Sequence, residues 1–107
     1  ELAQLESKLR GLIATRPESS LHFALGNNLM RQSRWAEAQE QLFAAATDSP
    51  DNAEYRFNLA VALDRLGKRD VAAEHYRRAL DLAQGRPVQF DAAAVRSRVA
   101  VIAAGES

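Results

Sequence analysis

The sequence predicts an all-α protein of two helical hairpins in tandem, with one further helix at each end. Three observations carry this expectation. Sliding the chain on itself by 34 residues superimposes Phe23 on Phe57, Leu25 on Leu59, Leu29 on Leu63, Arg31 on Arg65, Ala38 on Ala72, Glu40 on Glu74 and Ala45 on Ala79. A constant period of this length means that one supersecondary unit is repeated. Within each unit the apolar residues recur at spacings of three and four, the period of a helix face and not of a strand. Alanine is abundant, whereas glycine, proline and the aromatics number only five, three and seven among 107 residues; that balance suits helices packed through small side chains better than a sheet.

The first element spans residues 1–16. Leu2, Leu5, Leu9, Leu12 and Ile13 lie on one helical face before Thr15-Arg16-Pro17, as in the second helix of a truncated hairpin, and an N-terminal capping helix is expected there. Residues 19–52 form the first hairpin. Leu21, Leu25 and Leu29 make its first stripe, Gln32-Ser33-Arg34 its turn, and Trp35, Ala38, Leu42 and Ala45 its second stripe. Trp35 is expected to pack at the hairpin turn. The run Asp48-Ser49-Pro50-Asp51-Asn52 then ends one helix and caps the next, because proline cannot continue a helix and Asp or Asn accepts from free N–H groups.

The second hairpin covers residues 53–86. Its stripes are Leu59, Leu63 and Leu66, then Val71, Ala72, Tyr76, Ala79 and Leu80, joined by Gly67-Lys68. Its last helix is expected to run to about Ala83, before Gln84-Gly85-Arg86-Pro87 breaks it. Finally, Asp91 caps a helix over 91–104 that carries Val95, Val99 and Ile102 on one stripe and stops at Gly105. Two hairpins covered at both ends make a plausible minimum for a single domain, 1–107, since one such unit cannot bury its apolar face alone.

This helix-turn-helix pattern resembles the tetratricopeptide repeat. Residues 19–52 carry the motif as Leu25-Gly26, Leu29, Trp35, Ala38, Leu42, Ala45 and Pro50, and residues 53–86 carry it as Leu59-Ala60, Leu63, Gly67, Ala72, Tyr76 and Ala79. His22 and Arg56 stand where the motif usually has Trp, and Gln84 stands where its closing proline is expected. The second departure predicts that no normal third repeat follows.

What the resemblance implies is a short right-handed solenoid whose first helices line a concave groove. Transferred residue by residue, that groove is lined by Phe23, Ala24, Asn27, Met30 and Arg31, then by Phe57, Asn58, Val61, Asp64 and Arg65. It would hold a peptide or helix of a protein partner, with no cofactor, and the protein would serve as a scaffold or assembly factor. Asn27 and Asn58 fall where chaperone-binding members place the asparagines of a carboxylate clamp. Phe23 replaces the lysine expected there, however, and the last helix offers Phe90 and Ala94 in place of basic residues, so an apolar or helical ligand is expected. A narrower likeness is carried by Ser33-Arg34-Trp35-Ala36-Glu37-Ala38, Asn58-Leu59-Ala60-Val61-Ala62-Leu63-Asp64 and Phe90-Asp91-Ala92-Ala93-Ala94-Val95. These look like repeat segments of bacterial proteins of type IV pilus or secretion assembly, which would make the partner another assembly component and the location periplasmic or membrane-proximal.

Other function classes find little support. Fourteen basic residues balance fourteen acidic ones, so no overall field draws the chain to nucleic acid or an anionic membrane. The first half, residues 1–53, holds five basic and seven acidic groups, and the second half nine and seven. No apolar run approaches the roughly 20 residues that span a bilayer, so this segment is not expected to insert into a membrane. With no cysteine, there is neither a thiolate nucleophile nor a disulfide to indicate a redox compartment. The two imidazoles, His22 and His75, belong to different hairpins and lack metal-ligand spacing. Ser19, Ser20 and Ser33 sit at a helix start and a turn, where serine serves local hydrogen bonds. Lys68, Arg69, Arg77, Arg78, Arg96 and Arg98 interleave with Asp64, Asp70, Glu74 and Asp81, the pattern of a solvated face.

The expectation is therefore a binding module that is not an enzyme and uses no metal or cofactor. The alternative is a homodimer formed through an exposed solenoid end, such as the apolar face of the last helix. The chain opens on Glu1 and not on Met, which predicts a piece of a longer protein with room upstream for a signal or anchor. Cytoplasmic and periplasmic locations both stay open.

Overall fold

The computed structural model describes residues 1–105; the last two positions of the 1–107 domain lie outside the described residues. Six helices follow one another: α1 (Leu2–Thr15), α2 (Ser19–Arg31), α3 (Trp35–Asp48), α4 (Ala53–Arg65), α5 (Arg69–Ala83) and α6 (Ala92–Ala103). Among the described residues there is no strand. Local chemistry explains the breaks. Pro17 follows α1, Asn52 accepts from the Tyr55 N–H at the head of α4, and Asp91 accepts from the N–H groups of Ala93 and Ala94 at the head of α6, which supplies partners for otherwise free donors.

The two hairpin turns share one geometry. Ser33 and Gly67, 34 positions apart, both adopt positive φ, 58° and 80°. The next residue closes each turn, the Arg34 N–H donating to Leu29 O and the Lys68 N–H to Leu63 O, both at 3.0 Å. Glycine adopts this conformation freely, whereas for Ser33 it costs roughly 1–2 kcal/mol.

Each helix packs on its neighbours in sequence, and α2 also meets α4. Leu25, Leu29, Leu42 and Leu59 are fully buried between the layers, and Gly26, Ala38, Ala60 and Ala72 let the helices approach. Repetition extends to polar contacts. His22 Nδ1–H donates to Gln41 Oε1 at 2.8 Å, and one period later Arg56 Nη1 approaches His75 Nδ1 at 3.4 Å. The Trp slot of each hairpin thus holds a polar bridge between its two helices. At the turn end, the Arg65 guanidinium lies 5.0 Å over the Trp35 ring, a cation–π contact between successive hairpins.

Two expected core positions are corrected. Val71, placed on the inner stripe by its spacing, is 43% exposed, because Ala72, Ala73 and Tyr76 take the inward face and Val71 is turned away from it. Leu5 of α1 is 45% exposed. The cause lies in the position of α1 within the repeat. Arg34 Nη1 donates to Glu6 Oε1 at 2.6 Å, just as Lys68 Nζ donates to Gln39 Oε1 at 3.0 Å. Helix α1 therefore sits where α3 sits relative to the following hairpin, with Leu5 in register with Ala38 and Leu9 with Leu42. Ala38 and Ala72 are wholly buried under the first helix of their own hairpins. No first helix covers Leu5 among the described residues.

Candidate functional site

A groove of about 800 Å³ opens between α2, the first half of α4 and the connector that leads to α6. Phe23 and Asn27 come from α2, while Glu54, Tyr55, Phe57 and Asn58 come from the head of α4, with Asn52 just before it. Pro87, Val88, Gln89 and Phe90 close the far side. The connector is long because the period fails here. A third hairpin would begin near residue 87, where Pro87 stands, and the helix-starting cap is displaced to Asp91. The Gln89 N–H donates to Glu54 Oε2 at 2.7 Å and ties this segment to α4.

The walls are aromatic. Phe23 and Tyr55 lie 4.5 Å apart at 32°, and Phe57 stacks on Phe90 at 4.6 Å and 16°. The stacked pair also borders a smaller cavity of about 300 Å³, which Val61, Tyr76, Asp91, Ala94, Val95 and Arg98 complete. Among the residues that line the larger groove, Asn58 Nδ2–H donates to Asn27 Oδ1 at 2.6 Å.

Of the residues expected in a groove, Phe23, Asn27, Phe57 and Asn58 gather in the larger cavity and Val61 in the smaller one. Ala24, Met30, Arg31, Asp64 and Arg65 line neither. Ala24 and Met30 pack on the core, Arg31 is exposed at the end of α2, Arg65 is held over Trp35, and Asp64 is engaged by Arg98 and Tyr76. Phe90, expected on the last helix, lies in the connector two residues before α6. Sequence reasoning missed Asn52, Glu54, Tyr55 and the run Pro87–Gln89. The available signal was the broken period between Gln84 and Asp91, since a long loop over a rigid scaffold commonly carries function.

A sequence profile described as the tetratricopeptide repeat matches residues 23–87, more than half of the chain. The chain belongs to the tetratricopeptide repeat family. Tetratricopeptide repeats generally mediate protein–protein interaction, and the family is typically a non-catalytic interaction module. No curated protein matches the chain, so the narrower likeness to pilus and secretion assembly segments rests on the quoted residues alone. Among the described residues there is no cluster of three metal-ligating side chains, and no helix is long and apolar enough to cross a membrane.

The electrostatics of this tetratricopeptide domain concentrate at contacts between repeats. Arg98 donates to both oxygens of Asp64 at 2.7 and 2.8 Å, and Tyr76 Oη–H donates to Asp64 Oδ2 at 3.0 Å. Arg98 holds the Asp64 carboxyl below its ordinary range, and burial pushes the Tyr76 hydroxyl well up. At the other end of the stack, hydrogen bonds from Arg34, then Gln32 and Arg10, hold Glu6 down at about 2. His75 is pushed down, first by burial and then by the Arg56 charge.

The shifts on His75, Glu6 and Asp64 act in one direction on stability. The unfolded chain takes up a proton on His75 near pH 6.5, and on the carboxyls below about 4.5, before the folded chain does. The domain therefore loses stability as pH falls. The melting temperature is expected to decline first below pH 6.5 and again from about 4.5 downward. His75→Gln should flatten the upper step and leave the lower one; a profile unchanged between pH 7 and 5 in both proteins would contradict the assignment.

Proposed function

We propose that this domain is a non-catalytic scaffold or assembly module that holds an extended peptide of a protein partner in the aromatic groove. The observation that carries the reading is the bonded amide pair that lines the groove together with the aromatic residues. With Asn58 donating to Asn27, Asn58 Oδ1 and Asn27 Nδ2 remain for a ligand. The acceptor and the donors left on this pair match the N–H and C=O of a peptide unit. A helical ligand satisfies its own backbone groups and has less use for them, whereas an extended segment does not. Around the pair, the Phe23, Tyr55, Phe57 and Phe90 rings offer apolar contact that depends little on the order of side chains.

The test is a peptide-library screen with the wild-type domain and an Asn27→Ala/Asn58→Ala variant whose fold is checked by circular dichroism. Because the two amides bond each other, removing both leaves no orphaned partner and should cost the fold little. Binding is expected to weaken by about tenfold or more, since the ligand's amide loses its partners in a shielded site. Equal binding by the folded variant would sink the groove assignment.

A second reading, self-association through a solenoid end, is favoured by Leu5. The last helix does not supply such a face, because Val95 and Ile102 are buried and Val99 is half-buried. Exposed Leu5 on α1 is the candidate contact. Light scattering should then give a dimer mass that Leu5→Glu returns to a monomer; a monomeric wild type at high concentration removes this reading.

A further inference from the structure

We infer that the groove selects a peptide bearing a cation next to an apolar or aromatic side chain, and discriminates against a carboxylate. The inference rests on the groove being the peptide site and adds the sign of the charge it accepts. Glu54 is the one Asp, Glu, Lys, Arg or His side chain among the residues lining the larger cavity. Its Oε2 takes the Gln89 N–H, and among the described contacts Oε1 has no donor. In the adjoining cavity Asp91 receives the Ala93 and Ala94 N–H groups on Oδ1, which leaves Oδ2 for a ligand.

The cations nearby do not cancel these carboxylates. Arg98 lines the smaller cavity but is held by both oxygens of Asp64. Arg56 is turned toward His75 and Pro50 O. Arg31 and Arg86 are exposed and line neither cavity. What remains is a negatively biased groove walled by aromatic faces, each of which attracts a cation through its quadrupole. A Lys or Arg of the ligand would meet a ring face and Glu54 together, while its apolar neighbour packs against the Phe23–Tyr55 pair and Phe57 where they line the cavity. A peptide ending in a free carboxylate would face like charge and find no unpaired cation among the lining residues.

The probes are three fluorescein-labelled, C-terminally amidated peptides of one frame, with Phe followed by Arg, Gln or Glu at a single central position. Affinities are read by anisotropy, and the location of binding by amide shifts of residues 54–58 and 87–90. The expected order is Arg over Gln over Glu, with about tenfold or more between the extremes at low salt. Glu54→Gln retains an acceptor for the Gln89 N–H and so keeps the connector anchored. In that variant the preference should shrink severalfold, through a loss of Arg-peptide affinity and not a general one. Equal affinities, or a preference for Glu, with shifts still in the groove would overturn the charge inference and leave the groove reading standing. If no probe moves the groove resonances, both fall.

Discussion

Leu42→Ala is expected to lower the stability of this domain by about 2–5 kcal/mol, the range for emptying a fully buried leucine site. Leu42 is wholly buried and seated against Gly26. A Cβ built on Gly26 would lie 2.6 Å from Leu42 Cγ and 2.7 Å from Cδ2. The branch point of a buried side chain cannot swing away, so Gly26→Ala should cost about 1–3 kcal/mol through overpacking. That outweighs the gain of up to about 1 kcal/mol in helix propensity. Combined, the two changes relieve each other: the new methyl enters the space that Leu42 leaves, and Gly26→Ala should stabilise the Leu42→Ala protein while destabilising the wild type. Urea denaturation of the four proteins measures this sign reversal. If Gly26→Ala raises the midpoint in both backgrounds, the close crossing of α2 and α3 is wrong.

Ala38→Leu and Ala72→Leu should each destabilise by about 1–3 kcal/mol. Both alanines have no exposed surface, and alanine and leucine differ little in helix propensity, so the loss reports packing alone. Helix α1 supplies the internal control. Leu5 holds the register of Ala38 and is 45% exposed, so the larger side chain is accommodated where, among the described residues, no helix of the same hairpin covers it. Unchanged melting temperatures for both alanine variants would contradict the hairpin packing.

Periodicity and punctuation made the six helices legible, because each depends on residues a few positions apart. Pro17 follows α1, Asn52 and Asp91 cap, Ser33 and Gly67 turn, and the 34-residue shift aligns Leu25 with Leu59 and Ala38 with Ala72. The resemblance to the family rested on the motif residues at those offsets, and the profile match over residues 23–87 shows it. The lining of the cavities was legible only in part. The resemblance placed Phe23, Asn27, Phe57 and Asn58 in one groove, and these homologous helix positions do line one cavity. Asp64 and Arg65 share that helix face in sequence, yet Arg98 and Trp35 engage them. Both partners come from other helices, and nothing in the local spacing announces them.

By itself, then, the sequence determined the repeat, the hairpins, the caps and the small residues at the crossings, all of which follow from short-range sterics and hydrogen bonding. Tertiary structure alone decided that the broken period after Ala83 folds back over α4, that Gln89 is anchored on Glu54, and that Phe90 stacks on Phe57. Those outcomes depend on which surfaces are already covered when distant segments meet, and that information is held by the assembled helices and not by any window of the chain.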